Sequence, residues 1–284
     1  MTPRVLVAGA TDILAAAGVA SPGYDAAELL AHVLGTTRMG LSLVEHVDPA
    51  DRASFDDLVT RRARREPLQH LTGTAAFRHV ELAVGSGVFV PRPETELLAG
   101  WAIEAAQRAE QDNGTCRVVD LCTGSGAIAL SVATELPTAE VHAVELEPEA
   151  VAWAQRNLAG HGVDLRQGDM ADAFRDLDGT VDVVVCNPPY IPHDAWESVA
   201  PEARDHDPHA ALFSTGGDGL DAMRVLEEVA ARLLRTGGRV GAEHADLQGE
   251  SAPAVFTAAG RWVDVRDHRD LAGRPRYVTA RLAR

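Results

Sequence analysis

Apolar positions along the chain change period twice. Over residues 2–73 they recur at helical spacing: Ile13 and Leu14, Ala26 and Ala27, Leu29 and Leu30, Val33 and Leu34, then Phe55, Leu58 and Val59. Gly18, Ser21-Pro22-Gly23, Gly35, Gly40 and Asp48-Pro49 interrupt the run, so a small helical bundle is predicted. Between residues 74 and 90 the period falls to two, through Phe77, Val80, Leu82 and Val84 to Val88 and Val90. With Gly85-Ser86-Gly87 between the halves, this predicts a β-hairpin joining two domains. Glu94 and Glu96 then open a helix that runs through Leu97, Leu98, Trp101, Ile103 and Ala105, and acidic residues in a first turn suit the helix dipole.

Beyond a polar break at residues 111–114, predicted strands and helices alternate. The strands fall at 117–121, 141–146, 164–168, 181–186 and 239–243, the helices at 127–135, 148–158 and 219–234. Such alternation predicts an α/β fold with a doubly wound, mostly parallel sheet. Two late strands near 262–265 and 276–282 complete a seven-stranded sheet as a hairpin-like edge. The expected organisation is a helical bundle over 1–73, a hairpin linker over 74–92 and a Rossmann-like domain over 93–284.

The strand at 181–186 carries the first chemical signal. Val181, Val183, Val184, Val185 and Cys186 suit a strand covered on both faces, and the run stops at Asn187-Pro188-Pro189-Tyr190. Consecutive prolines cannot donate ladder hydrogen bonds, so the chain leaves the sheet there, at the carboxyl edge where open α/β sheets bind ligands. The side-chain oxygen of Asn187 and the Pro188 carbonyl can accept from a planar NH₂ group, and Tyr190 offers an aromatic face. Two acceptors on one NH₂ would hold its nitrogen towards an electrophile, which is catalysis by orientation. A cis-proline turn with a satisfied asparagine is the plainer alternative.

A second signal sits two strands earlier. In Asp120-Leu121-Cys122-Thr123-Gly124-Ser125-Gly126-Ala127, Gly124 and Gly126 allow a tight turn and close ligand approach before a helix. Glu145, at the end of the next strand, can accept from ribose hydroxyls, so a nucleoside cofactor is expected, although Gly-x-Gly-x-x-Ala also fits a nicotinamide cofactor. Asp120 would attract a cationic amino-acid tail and repel a pyrophosphate; otherwise it is a helix-capping or turn residue. Asp169 and Met170 end the third strand where adenine would lie, against the alternatives of an Asx turn and a core methionine. Arg92, between two prolines at the domain joint, reads as a site residue more than as a surface charge.

Composition narrows the class. Hydrophobic residues at 46% and charged residues at 24% of 284 are ordinary globular values, and no apolar run could span a bilayer. Residues 1–10 do not form a signal peptide, so the cytoplasm is the expected location and no membrane partner is expected. A net charge of −16 disfavours direct nucleic-acid binding. Arg61, Arg62, Arg64 and Arg65 make a local basic patch, read as a solvated helix face in preference to a docking surface. Cys116, Cys122 and Cys186 lack C-x-x-C spacing and read as reduced thiols. Of possible metal clusters only His206-Asp207-Pro208-His209 comes near, and no metal site is expected.

Taken together, these stretches resemble the S-adenosylmethionine-dependent class I methyltransferases, and within them the release factor glutamine methyltransferases of the PrmC/HemK type. The resemblance rests on Arg64 to Gly73, Phe89-Val90-Pro91-Arg92-Pro93-Glu94-Thr95-Glu96, Asn187-Pro188-Pro189-Tyr190-Ile191-Pro192, His206 to Phe213 and Asp270 to Arg276, and spans nearly the whole chain. It implies methylation of the side-chain amide of the glutamine in the Gly-Gly-Gln loop of class I release factors, with S-adenosyl-L-methionine consumed and S-adenosyl-L-homocysteine released. It implies reacting-group contacts at Asn187, Pro188, Pro189 and Tyr190. Cofactor contacts are implied at Phe89, Arg92, Asp120, Cys122, Thr123, Gly124, Ser125, Gly126, Glu145, Leu146, Asp169, Met170 and Asn187. Cys122 stands where this turn usually has glycine, Met170 where an aromatic is frequent, and Ala245 where glycine follows Glu-His. Two neighbouring readings share the chemistry: a ribosomal-protein glutamine methyltransferase and an adenine-N6 nucleic-acid methyltransferase. An S-adenosylmethionine-binding scaffold with a dead site is the non-enzymatic alternative.

Overall fold

A computed structural model describes residues 1–214 and 216–283, the side chain of Ser198 excepted. Its helices are α1 (Pro3–Ala16), α2 (Pro22–Val33), α3 (Pro49–Ala63), α4 (Leu68–Thr72), α5 (Thr95–Asn113), α6 (Ala127–Glu135), α7 (Pro148–Leu158), α8 (Pro201–His206), α9 (His209–Leu212), α10 (Asp221–Leu233) and α11 (Ser251–Ala258). Its strands are β1 (Thr74–Phe77), β2 (Val80–Ala83), β3 (Arg117–Leu121), β4 (Glu140–Glu145), β5 (Asp164–Gln167), β6 (Val181–Cys186), β7 (Ile191–Pro192), β8 (Phe213–Ser214), β9 (Leu234–Glu243), β10 (Trp262–Arg269) and β11 (Pro275–Leu282). Two compact units result. One is Met1–Thr74 with Ala200–His206; the other is Ala75–Val199 with the chain from Asp207 onward.

In the helical unit, α1, α2 and α3 each begin on a proline, which has no N–H to leave unsatisfied and a φ already suited to a helix. Leu6, Ala10 and Leu14 of α1 pack with Ala26, Leu29 and Leu30 of α2 and with Phe55 and Val59 of α3. Ile13, expected in this core, faces outward. The basic patch is a correction. Arg62 is only 6% exposed and donates to Asp25 (2.7 Å), to the Glu66 carbonyl (3.1 Å) and to Glu202 of α8 (2.9 Å). Arg65 grips the same Glu202 with two bonds of 2.7 and 2.6 Å, and Arg61 pairs with Glu66. Three of the four arginines therefore sit in ion pairs, two of them on a carboxylate far along the chain.

In the second unit, β1 and β2 form a two-stranded pair that turns at Arg78 and His79, ahead of the glycines expected to separate its halves. Those glycines have another reason to be there. A Cβ on Gly85 would lie 2.6 Å from the Trp153 ring of α7, and one on Gly87 would meet the Glu149 side chain at 2.1 Å. The stretch is glycine-rich because it lies hard against α7, and Val84, Val88 and Val90 are buried without being strand residues.

The main sheet has seven strands in the order β10-β11-β9-β6-β3-β4-β5, with β9, β6, β3, β4 and β5 parallel and β11 antiparallel to both neighbours. This is the doubly wound sheet with a hairpin edge that the alternation predicts. Neighbouring residues of β3 and β6 serve opposite cores. Val118, Val183 and Val185 meet α5, α6 and α7, while Val119, Leu121, Val184 and Cys186 meet α10 and α11. Burying each such side chain contributes about 1.5–3 kcal/mol, so two covered faces account for the valine run of β6. Strand β9 begins at Leu234, five residues ahead of the expected 239, because Gly237 and Gly238 mask its start in the sequence. Helix α11 went unpredicted, since only Ala252 and Phe256 mark its buried face.

The chain winds from β3 outward to β4 on one side and to β6 on the other, so the order reverses between β3 and β6. At such a point the loops leaving the two strands part and leave a crevice at the carboxyl edge. Leu121 and Cys186 are register partners there, and the next residues are Cys122 and Asn187.

Candidate active site

The loop from β3 to α6 is built from left-handed backbone: φ is +58° at Cys122, +58° at Gly124 and +86° at Gly126. Gly126 packs so closely that a Cβ would touch Leu158 of α7 at 3.1 Å, whereas a Cβ on Gly124 would meet nothing. Gly126 thus seats the helix on its neighbour, and Gly124 turns the backbone at the crevice. Its N–H donates to Glu145 Oε2 at 2.8 Å, and Leu146 and Glu147 donate theirs to Oε1 at 2.8 and 3.0 Å. Three backbone donors hold this carboxylate at the crevice wall. Asp120 lies beneath the loop. Its Oδ2 accepts from the Thr123 hydroxyl (2.5 Å) and from the Ala129 N–H in the first turn of α6 (3.1 Å), and burial pushes its pKa up to about 7.

One pocket, entirely within the second unit, collects most of the expected residues. Phe89, Cys122, Thr123, Gly124, Ser125, Glu145, Leu146, Asp169, Met170, Asn187, Pro189 and Tyr190 all line it. Asp120, Gly126, Arg92 and Pro188 do not. The Arg92 guanidinium lies 4.9 Å from the centre of the Phe89 ring and donates to Asp207 at 2.6 Å. That ion pair ties the segment before α5 to the segment before α9. Burial raises the Asp207 carboxyl to about 6 against the pull of Arg92. In the half of the pocket near β4, the Cys122 thiol donates to Met170 Sδ at 3.6 Å, and Asp169 accepts from the Ala171 N–H at 2.9 Å. Ile128, Val144 and Ala150 complete an apolar wall suited to a flat ring, with Leu146 half-exposed at its edge.

The other half is built around Asn187. Its Nδ2 donates to Thr95 Oγ1 at 3.4 Å, and the Thr95 hydroxyl donates to Glu243 Oε2 at 2.7 Å. Tyr190 donates its phenol to Glu243 Oε1 at 3.1 Å. Gln248 holds the backbone of the same turn, donating to the Tyr190 carbonyl (3.2 Å) and to that of Asp218 (3.0 Å). Gly219 has φ +72°, and a Cβ there would lie 2.3 Å from the Tyr190 carbonyl oxygen. Thr95, Glu243, Gln248 and the Pro208–Leu212 wall escaped attention in the sequence as parts of this site. Thr95 and the Pro208–Leu212 wall stand inside stretches that carry the family resemblance, and Glu243 opens the Glu-His-Ala stretch that departs from it, which was the signal available.

The pocket therefore joins a ring-sized apolar wall and a carboxylate on backbone donors to the Asn187 side-chain amide, whose nitrogen is bonded to Thr95. Residues 6–73 match the PrmC N-terminal domain and residues 105–217 the methyltransferase small domain. The chain is 58% identical to the release factor glutamine methyltransferase of Streptomyces coelicolor, over 98% of this chain and 97% of the relative. It is 49% identical to that of Mycolicibacterium smegmatis, over 99% and 98%, and 41% identical to that of Deinococcus radiodurans, over 100% and 99%. Identity of this degree over the full length, with both domains in place, shows that the chain belongs to the release factor glutamine methyltransferases.

Proposed function

We propose that this enzyme transfers the methyl group of S-adenosylmethionine to the side-chain amide nitrogen of the glutamine in the Gly-Gly-Gln loop of class I release factors. The observation that carries the reading is the Asn187 amide, held through its nitrogen so that its oxygen can accept, in the same pocket as the Gly124 loop and Glu145. Bound there, the cofactor would supply an electrophilic methyl group on a sulfonium. Glu145 would accept from its ribose hydroxyls, Leu146, Met170 and Ile128 would flank its adenine, and Thr123 to Ser125 would border its amino-acid end. Asp120 acts through the loop, by fixing Thr123 and the first turn of α6.

An amide nitrogen is a poor nucleophile because its lone pair is delocalised. Asn187 Oδ1 and the Pro188 carbonyl would accept its two hydrogens, turning the nitrogen towards the methyl carbon. Positive charge would develop on the amide nitrogen as it takes up the methyl group, and acceptors already in place at Asn187 and Pro188 would stabilise that state selectively. One N–H proton leaves to water afterwards. Tyr190, tied to Glu243, packs beside the amide.

We assign residues 1–73 to substrate docking, 74–92 to a linker and 93–284 to the methyltransferase domain; the match of 6–73 to the PrmC N-terminal domain supports the first. Among the described residues no helix is long and apolar enough to cross a membrane, and we place the enzyme in the cytoplasm with its substrate. Glu145→Ala is expected to weaken S-adenosylmethionine binding about 10–100-fold in a calorimetric titration, the scale of lost hydrogen bonds to a charged group. The reaction itself is tested by tandem mass spectrometry of a release factor after incubation, with one methyl group expected on the loop glutamine and on no other residue.

A further inference from the structure

We infer that Thr95 and Glu243 are positioning residues that set which way the Asn187 amide points. An asparagine side chain has two nearly isosteric ends, and only one suits a donor substrate. The hydrogen-bond chain decides between them by proton count. Glu243 as a carboxylate only accepts, so the single Thr95 proton goes to its Oε2 at 2.7 Å. Thr95 Oγ1 can then only accept from its other neighbour, which must present Nδ2, as Asn187 does at 3.4 Å. Asn187 Oδ1 is left facing the pocket. The second oxygen of Glu243 is occupied by the Tyr190 phenol at 3.1 Å, which keeps the carboxylate from turning.

Protonation reverses the chain. A neutral Glu243 would donate to Thr95, Thr95 would donate towards Asn187, and the amide would turn its nitrogen to the pocket, where it opposes an NH₂ substrate. Glu243 is 1% exposed, and burial raises its pKa. The charged and titratable groups around it are Glu94 before α5, which raises it further, and Arg276 of β11, which lowers it and is itself paired with Asp270. Tyr190 donates to it, Tyr277 is its register partner on β11, and His244, the residue that follows β9, pairs with Asp267. A carboxylate with a raised pKa is ionised, and the amide correctly set, above that pKa; the setting is lost as pH falls through it.

The inference rests on the proposed amide methylation only for the identity of the acceptor, and its test does not need that substrate. The chain has three asparagines, Asn113, Asn157 and Asn187, so ¹⁵N-asparagine labelling gives a spectrum of three side-chain NH₂ pairs. The Asn187 pair, identified by its absence in Asn187→Ala, is expected to shift with pH in the unsubstituted protein and in Thr95→Ser. In Thr95→Val, which keeps the shape and loses the hydroxyl, the shift should vanish. If the Asn187 pair titrates in Thr95→Val as it does in the unsubstituted protein, the relay is wrong. Turnover adds a second readout: Thr95→Val is expected to lower kcat about 10-fold, the scale of one lost hydrogen bond, with cofactor KM little changed. Thr95→Ser should recover most of that loss, and the acid limb of the kcat profile should be present with serine and absent with valine. A Thr95→Ser enzyme as slow as Thr95→Val overturns the inference. Absence of turnover in the unsubstituted enzyme counts against the glutamine substrate and leaves the spectroscopic result to decide the relay.

Discussion

Replacing Asn187 with alanine is expected to lower kcat for methyl transfer by about 10²–10³-fold, the usual result of deleting one preorganised polar contact to a developing charge. Cofactor affinity, measured by calorimetry, should stay close to that of the unsubstituted enzyme, because Glu145 and the Gly124 loop lie at the ends of β4 and β3 and do not depend on Asn187. The split follows from timing. Asn187 accepts most strongly when the amide nitrogen has begun to share positive charge, so its loss raises the barrier more than it weakens the ground state. Asn187→Asp separates two contributions: it keeps acceptors but loses the Nδ2 donor to Thr95, and places a second carboxylate beside the Thr95 hydroxyl that donates to Glu243. Turnover by Asn187→Ala equal to that of the unsubstituted enzyme would remove Asn187 from the chemistry.

The largest expected effect on stability lies in the helical unit. Arg62→Ala should destabilise the helical unit by about 3–5 kcal/mol, because it strands a buried carboxylate that has no other ion-pair partner among the described residues. Asp25, 6% exposed, has Arg62 as its ion-pair partner at 2.7 Å, whereas Glu202 keeps both bonds to Arg65. Urea unfolding followed by circular dichroism measures this directly. The double substitution Arg62→Met with Asp25→Leu should recover much of the loss, since a buried pair can often be exchanged for well-packed apolar residues at little cost. If Arg62→Ala unfolds at the same urea concentration as the unsubstituted protein, the pair contributes nothing and α8 is held by Arg65 alone.

What could be read beforehand was whatever the chain encodes locally. Strand β6, its stop at two prolines and the glycine loop after β3 each depend on a few consecutive residues, and the sheet followed from their alternation. Side chains that meet across long separations gave no such pattern. Thr95 is 92 residues from Asn187 and 148 from Glu243, and a threonine opening a helix looks like any other. Arg62 reads as a surface charge until Glu202, 140 residues on, is known to return to it. Gly85 and Gly87 were legible as glycines and misread as a reversal, because close approach to Trp153 and Glu149 calls for the same residue as a turn. Asp120 was read as attracting a cationic cofactor tail, yet its contacts turn to Thr123 and α6, a direction that residue type alone does not specify.

The most direct test of the proposed reaction is transfer of labelled methyl from S-adenosylmethionine to a purified class I release factor, run beside a variant whose Gly-Gly-Gln glutamine is alanine. Label on the intact factor and none on the variant is the expected result, and it identifies substrate and residue together. Label on neither protein, from enzyme shown by calorimetry to bind the cofactor, would contradict the assignment and direct the search to ribosomal proteins and nucleic acids as acceptors.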